Sequence, residues 1–460
     1  MAAKSMNMPP KLISMTIDEL ALGLKDSQFT SVQLVNTYIA RIRQVNGHLK
    51  VIGEIKPNAI DAAQELDNER SRNQTRGPLH GTKMPFQTLM IWKQVVFTPW
   101  NRVPGYSDQI PVGSSCLKGA KVGIEAAVIK RLKAAGAIIL GITNLMEWCN
   151  LWTSRSPHGI SANWGQSLGA YYPNQDPGGS SSGSCVATAI GLAAASLGTE
   201  TFGSITMPSQ RSAVVGFKPT PGLVSRVGMI VANEYQDTPG PITRTVKDAA
   251  YVLQAIAGED PEDFAPFGYP RYAIPDYVAA CKPEGLSGVR VAAPSQVVTQ
   301  DAEVQATFKR ALETIRQSGA TVLTDIKFSE WTTSTRDDEH SLLNLGFLKG
   351  APDVIEYIKR TPNEEYEKFG ATEFEAADAL EFNTLSPEFA ASMERRNHLG
   401  RDVTRLLDDH NCDVLVIPGS GDAPGELGGH PTVIVPSGFY SNDKKVETAM
   451  ADMIYRGPRT

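Results

Sequence analysis

Two serine-bearing runs hold the residues with nucleophilic potential. Gly178-Gly179-Ser180-Ser181-Ser182-Gly183-Ser184 leads into an apolar stretch, Cys185 to Leu197, which reads as a helix, and then into Gly198-Thr199-Glu200-Thr201-Phe202-Gly203-Ser204-Ile205. The surrounding segment, 176–225, is crowded with Gly, Ser, Thr and Ala and carries few charges before Arg211. Small residues let backbone approach backbone, which suits a site built from main-chain donors. Read alone, the first run is a flexible Gly/Ser linker; linkers border domains, however, and this one enters an apolar helix at once. Gly179 to Gly183 also satisfies G-x-S-x-G, which would make Ser181 the nucleophile of an α/β-hydrolase with one of the seven histidines as base. That motif needs a strand immediately before it, and Tyr171 to Pro177 has the composition of a loop.

Taken together, these segments resemble the amidase signature family, in which a G-G-S-S-[SG]-G-S run is followed by G-T-[DE] and then G-S-I. Gly178 to Ser184 and Gly198 to Ile205 match in order and spacing. The likeness continues through Gly216-Phe217-Lys218-Pro219-Thr220-Pro221-Gly222-Leu223-Val224-Ser225-Arg226 and Gln236-Asp237-Thr238-Pro239-Gly240-Pro241. Upstream it takes in Arg76-Gly77-Pro78-Leu79-His80-Gly81 and Gly141-Ile142-Thr143-Asn144-Leu145-Met146-Glu147-Trp148. Glu200 together with Val224-Ser225-Arg226 is most similar to the branch of bacterial peptide amidases and fungal amidases. The match is strongest over residues 11–260, and the resemblance implies one amidase-signature domain, residues 1–460.

The resemblance implies hydrolysis of the C–N bond of a small or peptide-like amide through an acyl-enzyme, with no cofactor and no metal. It makes Ser204 the nucleophile and Ser180 the relay, preceded by a cis peptide bond, with an upstream lysine as base. It also makes the backbone N–H groups of Thr201, Phe202, Gly203 and Ser204 the oxyanion hole. A serine hydroxyl needs a base at neutral pH, and a lysine serves only when neutral, so its usual pKa of about 10.4 must fall by about 3 units. Burial among small uncharged residues supplies such a shift.

Three departures from the family pattern carry expectations. After His80-Gly81 the chain reads Thr82-Lys83-Met84-Pro85, and Lys93 follows the apolar stretch 88–92 with Gln94 where the family has Asp; Lys93 is the chosen base and Lys83 its rival. Phe202 replaces a small residue and is expected to crowd the acyl side of the pocket, the alternative being an aromatic that merely packs; Thr206 stands where arginine is common. Gly429 to Pro436 resembles the family's late strand, yet the chain reaches Thr460 soon after. The late strands are therefore expected to be missing, leaving Val433 to Val435 as an edge that is exposed or covered by a second copy in a homodimer.

These residues need a scaffold. Thr16/Glu19 and Thr30/Gln33 read as capping boxes opening two helices. Glu125 to Ala135 reads as a helix ending at Gly136, with a buried strand over Ala137 to Ile142. Strands over Gly288–Ala293, Ala320–Leu323 and Asp413–Ile417, with a helix over Asp301–Ser318, complete an α/β pattern: a large mixed sheet covered by helices on both faces. Residues 335–410 read as a helical layer over it.

With 41% hydrophobic and 20% charged residues, 460 residues build an ordinary globular core. A net charge of −6 with scattered Lys and Arg gives no footprint for nucleic acid. The five cysteines are odd in number and lack C-x-x-C spacing, so neither disulfides nor zinc is suggested and a reducing, cytoplasmic location is expected. No signal peptide or membrane span is read, since no stretch reaches the roughly 18 apolar residues required. Two other readings compete: a non-catalytic, degenerate or truncated amidase-fold scaffold, and the amidase component of the transfer-RNA amidotransferase, against which the absence of a basic face argues.

Overall fold

In a computed structural model, the described residues are 12–74, 89–92, 112–117, 125–263, 273–282, 284–297, 299, 301–330, 352–419, 425, 428–438, 447–449 and 454–456. Both capping boxes form: the Thr16 hydroxyl accepts from the Glu19 N–H at 3.2 Å, and the Glu19 carboxylate accepts from the Thr16 N–H at 2.8 Å. Thr30 and Gln33 repeat this at 3.1 and 2.9 Å. They open α1 (Ile17–Lys25) and α2 (Ser31–Leu49).

The chain continues through β1 (Ile52–Ile55), α3 (Ala59–Ser71), β2 (Leu89–Trp92), α4 (Ala127–Ala134), β3 (Ile138–Thr143), α5 (Ser182–Ala189), β4 (Ala195–Glu200), α6 (Thr206–Arg211), β5 (Val215–Lys218), β6 (Thr238–Thr243) and α7 (Val246–Ile256). Then come α8 (Tyr277–Ala280), β7 (Arg290–Ala292), α9 (Ala302–Gln317), β8 (Thr321–Leu323), α10 (Pro352–Arg360), α11 (Tyr366–Phe369), α12 (Thr372–Asp378) and α13 (Pro387–Asp409). Four short strands close the series: β9 (Val414–Leu415), β10 (Thr432–Ile434), β11 (Glu447–Ala449) and β12 (Ile454–Arg456).

Seven strands form the main sheet in the order β1-β3-β2-β4-β6-β5-β10. It is mixed, as expected: β2 runs parallel to β3 and β4, and the other pairs are antiparallel. Alternate residues of one strand serve opposite faces. Ile139 joins Ala195 and Leu197 in a core with Leu132 of α4 and Val252 of α7, whereas Ile138 and Leu140 join Leu34 and Val35 of α2 and Leu66 of α3. Helices thus cover both faces, and each fully buried Leu or Ile contributes about 1.5–3 kcal/mol.

The structure departs from the sequence reading in three places. The apolar stretch Cys185 to Leu197 is not one helix: α5 stops at Ala189, and β4 starts at Ala195. The break falls at Gly191, whose φ is +70° and where a Cβ would lie 2.6 Å from the Ile13 Cα. A helix interior offers no such conformation. Secondly, β7, β8 and β9 do not extend the main sheet but form a parallel three-stranded sheet, β8-β7-β9. Ala292, Val297, Ile326 and Phe328 pack there against Val403 and Leu406 of α13, so this helix covers the small sheet. Thirdly, β10 pairs with β5 at the rim of the main sheet and has no second strand partner among the described residues, while β11 and β12 pair with each other. Strands do follow β10, but they leave its outer side without a strand partner among the described residues, with Val433 and Val435 exposed.

Candidate active site

The two serine runs meet. Backbone N–H of Ser181 donates to the carbonyl of Ser204 at 3.0 Å. Strand β4 delivers the second run, five residues turn, and α6 begins at Thr206. Glu200, 1% exposed, folds the turn back by accepting from the N–H groups of Ile205 at 2.6 Å and Thr206 at 2.9 Å. The Thr206 hydroxyl lies 3.3 Å from the same carboxylate oxygen, which gives the threonine a structural part in the turn. Gly203 has φ +72°, a conformation that costs glycine little. Its N–H and that of Ser204 are engaged by no hydrogen-bond partner among the described residues. Phe202 is half-buried beside them.

Ile205, fully buried, is one of the groups that crowd glycines on three strands. A Cβ on Gly198 of β4 would lie 2.9 Å from Ile205, on Gly216 of β5 3.0 Å, and on Gly240 of β6 3.1 Å. Three neighbouring strands thus present bare backbone to the residue following Ser204.

The first run is equally constrained. Ser180 is fully buried and follows a cis Gly179–Ser180 peptide bond, and its carbonyl accepts from the Met146 N–H at 3.1 Å. The Ser182 hydroxyl donates to the Gly178 carbonyl at 2.6 Å, and the Gly178 N–H donates to Asp176 at 2.8 Å. Asp176 pairs in turn with Arg211, the last residue of α6, and with His158 at 3.0 Å. Burial opposes the charge on Asp176, but bonds and charges from His158 and Arg211 outweigh it and hold the carboxyl well below the usual range. Asp176–Arg211 therefore ties the loop before Ser180 to the helix after Ser204, a link with no signal in the sequence beyond the single charge that ends a neutral stretch.

Behind the turn, the Thr201 hydroxyl donates to Asp237 at 2.5 Å. Asp237 also accepts from the N–H groups of Ala232 at 2.6 Å and Asn233 at 3.2 Å. Despite these bonds, burial pushes its carboxyl up to about 6.

Ser181 has the surroundings of a structural group. Fully buried, its hydroxyl donates to the Thr199 carbonyl at 3.3 Å, and no strand leads directly into it; strand–turn–helix order belongs to Ser204. Lys93, Lys83, Gln94 and His80 lie outside the described residues. Strand β2 ends at Trp92, and because β2, β3 and β4 are parallel their C-terminal ends share one sheet edge. In open α/β sheets this edge is where ligands bind.

The Amidase family model matches residues 108–450, and the chain belongs to this family, hydrolases acting on amides. A protein of Arthroderma benhamiae, provisionally named an amidase, is 35% identical over 95% of this chain and 79% of its own length. Peptide amidase from Stenotrophomonas maltophilia has a solved structure with 30% identity and a TM-score of 0.84, covering 93% of this chain and 91% of that one. Similarity to a component of the glutamyl-tRNA(Gln) amidotransferase of Anaeromyxobacter dehalogenans, 34% identical, spans only 69% of this chain and 61% of that protein. Among the described residues no helix is long and apolar enough to cross a membrane.

Proposed function

We propose that this chain hydrolyses the C–N bond of a small or peptide-like amide by a Ser–Ser–Lys mechanism. Ser204 attacks the carbonyl, Ser180 relays its proton, and Lys93 accepts it; the N–H groups of Thr201, Phe202, Gly203 and Ser204 stabilise the oxyanion. The proton returns to the leaving amine, and water then releases the acyl group from Ser204. The observation that carries this reading is the turn after β4, where Ser204 stands beside the run bearing Ser180 with the N–H groups of Gly203 and Ser204 unengaged among the described residues. Removing one oxyanion donor costs about 2.7–4 kcal/mol of barrier.

Topology supports Lys93 over Lys83. Lys93 directly follows β2 in sequence, and β2 itself ends at the sheet edge where β4 ends, whereas Lys83 comes six residues before the start of β2. The likeness to a peptide amidase over nearly the whole chain supports a peptide-like amide ahead of the amidotransferase reading. Scattered cysteines favour the cytoplasm, and the exposed β10 edge favours a homodimer, read by sedimentation of wild type against Val433→Lys.

The test is ammonia release from a peptide C-terminal amide without any partner protein, together with mapping of the serine labelled by a fluorophosphonate. Lys93→Ala should lose about 10²–10⁴ in rate, as expected for lost acid–base help. Full activity in Lys93→Ala with loss in Lys83→Ala would move the base to Lys83, and labelling elsewhere than Ser204 would end the proposal.

A further inference from the structure

Next to the residue that holds Ser180, two carboxyl groups face each other in the interior. Glu147 and Glu364 are 2% and 1% exposed. Each has one oxygen well satisfied. Glu147 Oε2 accepts from the Ala162 N–H at 2.7 Å, and Glu364 Oε1 accepts from the Ser115 N–H at 2.8 Å, the Ser115 hydroxyl at 2.6 Å and the Ser114 hydroxyl at 3.0 Å. The remaining oxygens, Glu147 Oε1 and Glu364 Oε2, are buried with no conventional donor. The Glu364 carboxyl is the side chain that neighbours the Glu147 carboxyl, and neither orphaned oxygen has a donor among the described residues. Two adjoining carboxylates cannot both ionise in the interior, and one proton between them satisfies both orphaned oxygens at once.

We propose that Glu147 and Glu364 share a single proton, a carboxylic acid hydrogen-bonded to a carboxylate, and that this bond locks the α10–α12 layer onto the segment that positions Ser180. Each end of the lock is anchored. Glu147 follows Met146, whose N–H holds the Ser180 carbonyl and whose sulfur would lie 3.1 Å from a Cβ on Gly179. Glu364 lies between α10 and α11, which bring Ile355, Ile358 and Phe369 against Trp152. The chain is strained at this corner: Trp148, Cys149 and Asn150 have φ +48°, +57° and +71°, and Glu365 has φ +50°. Of the described ionisable groups around the pair, Glu365 adds negative charge, Cys116 is a thiol kept neutral chiefly by burial, and Tyr357 donates to the Ser115 hydroxyl at 3.3 Å. None is a cation that would stabilise a second carboxylate. Burial first, and Glu364 second, push the Glu147 carboxyl well above the ordinary range.

A role in positioning Ser180 rests on the amidase reading; the shared proton itself does not. The test uses the full-length chain and two variants, Glu147→Gln and Glu364→Gln, each of which leaves an amide to donate to the surviving carboxylate. Infrared spectra at about pH 7, where ordinary glutamates are ionised, should show the carbonyl stretch of one neutral carboxylic acid in wild type, lost in both variants. Folded Glu147 keeps a proton that the unfolded chain releases, so this group's contribution to stability falls as pH rises from the ordinary carboxyl value towards its folded one. The fall in Tm over that window should be shallower in both variants than in wild type. Glu147→Ala, which strands a charge, should lower Tm and kcat together, with both recovered in Glu147→Gln. An absent band, or the same pH slope in wild type and both variants, would overturn the shared proton. Band and slope intact with kcat unchanged in Glu147→Ala would overturn the positioning role, and a wild type that shows the band but releases no ammonia would count against the amidase reading alone.

Discussion

The Ser181 N–H and the Ser204 carbonyl, 3.0 Å apart, join the two serine runs through their backbones, at Ser204 itself and one residue past Ser180. Ser180 and Ser204 should therefore act as one unit. Ser204→Ala should abolish both turnover and fluorophosphonate labelling, because no acyl-enzyme can form. Ser180→Ala should keep a slow nucleophile with a loss of about 10²–10⁴. The double variant should be no worse than Ser204→Ala, since groups acting together fail together; additive losses in single-turnover assays would count against a shared path.

Arg211→Met should destabilise by about 3–5 kcal/mol, the usual cost of stranding one partner of a buried ion pair. Asp176, whose carboxyl is held low in the folded state, contributes stability above its unfolded value of 3.8 that is lost as pH falls below it. Asp176→Asn should be destabilised at neutral pH and lose less on acidification than wild type. Urea unfolding at pH 7 and in acid reads both effects.

Asp237 has the opposite sign. Its shift from 3.8 to about 6 means the folded chain holds a proton that the unfolded chain releases, so stability falls by about 2 kcal/mol between pH 4 and pH 6. Asp237→Asn should remove that decline. An identical pH dependence of unfolding in wild type and Asp237→Asn would show that the carboxyl titrates normally.

How much of the fold and site is legible in the sequence follows from what local sequence encodes. Capping at Thr16 and Thr30 is readable because each box is complete within four residues. Strand β3 is readable because its residues are apolar on both faces. The end of α5 is not, because the Ala-rich run suits helix and buried strand alike, and the arbiter, a backbone from Leu12–Ile13 pressed on Gly191, comes from far along the chain. The small second sheet stays hidden because parallel pairing between β7, β8 and β9 leaves no trace in any one segment. At the site, Ser180 and Ser204 are proposed from the resemblance, and what the structure adds is that their two runs meet. Asp176, Asp237 and the second carboxyl of the Glu147–Glu364 pair act across 35 residues or more, where type and spacing say nothing.

Phe202→Gly should widen the range of amides cleaved, because the half-buried ring lies in the turn that carries Ser204. A panel of acyl groups of increasing bulk, compared by kcat/KM, reads the effect. An unchanged ranking would make Phe202 a packing residue only.

The bare floor formed by Gly198, Gly216 and Gly240 fixes more than packing. Ile205 lies 2.9–3.1 Å from where a Cβ would stand on each of the three strands, so the position of the neighbouring Ser204 over the sheet is set in part by the scaffold itself. Gly198→Ala should cost about 1–3 kcal/mol as overpacking, because its Cβ would press on the Ser181 hydroxyl, Ile242 and Ile205 together. Diversification towards new substrates therefore has more freedom in the loops above the site than in the strands beneath Ser204.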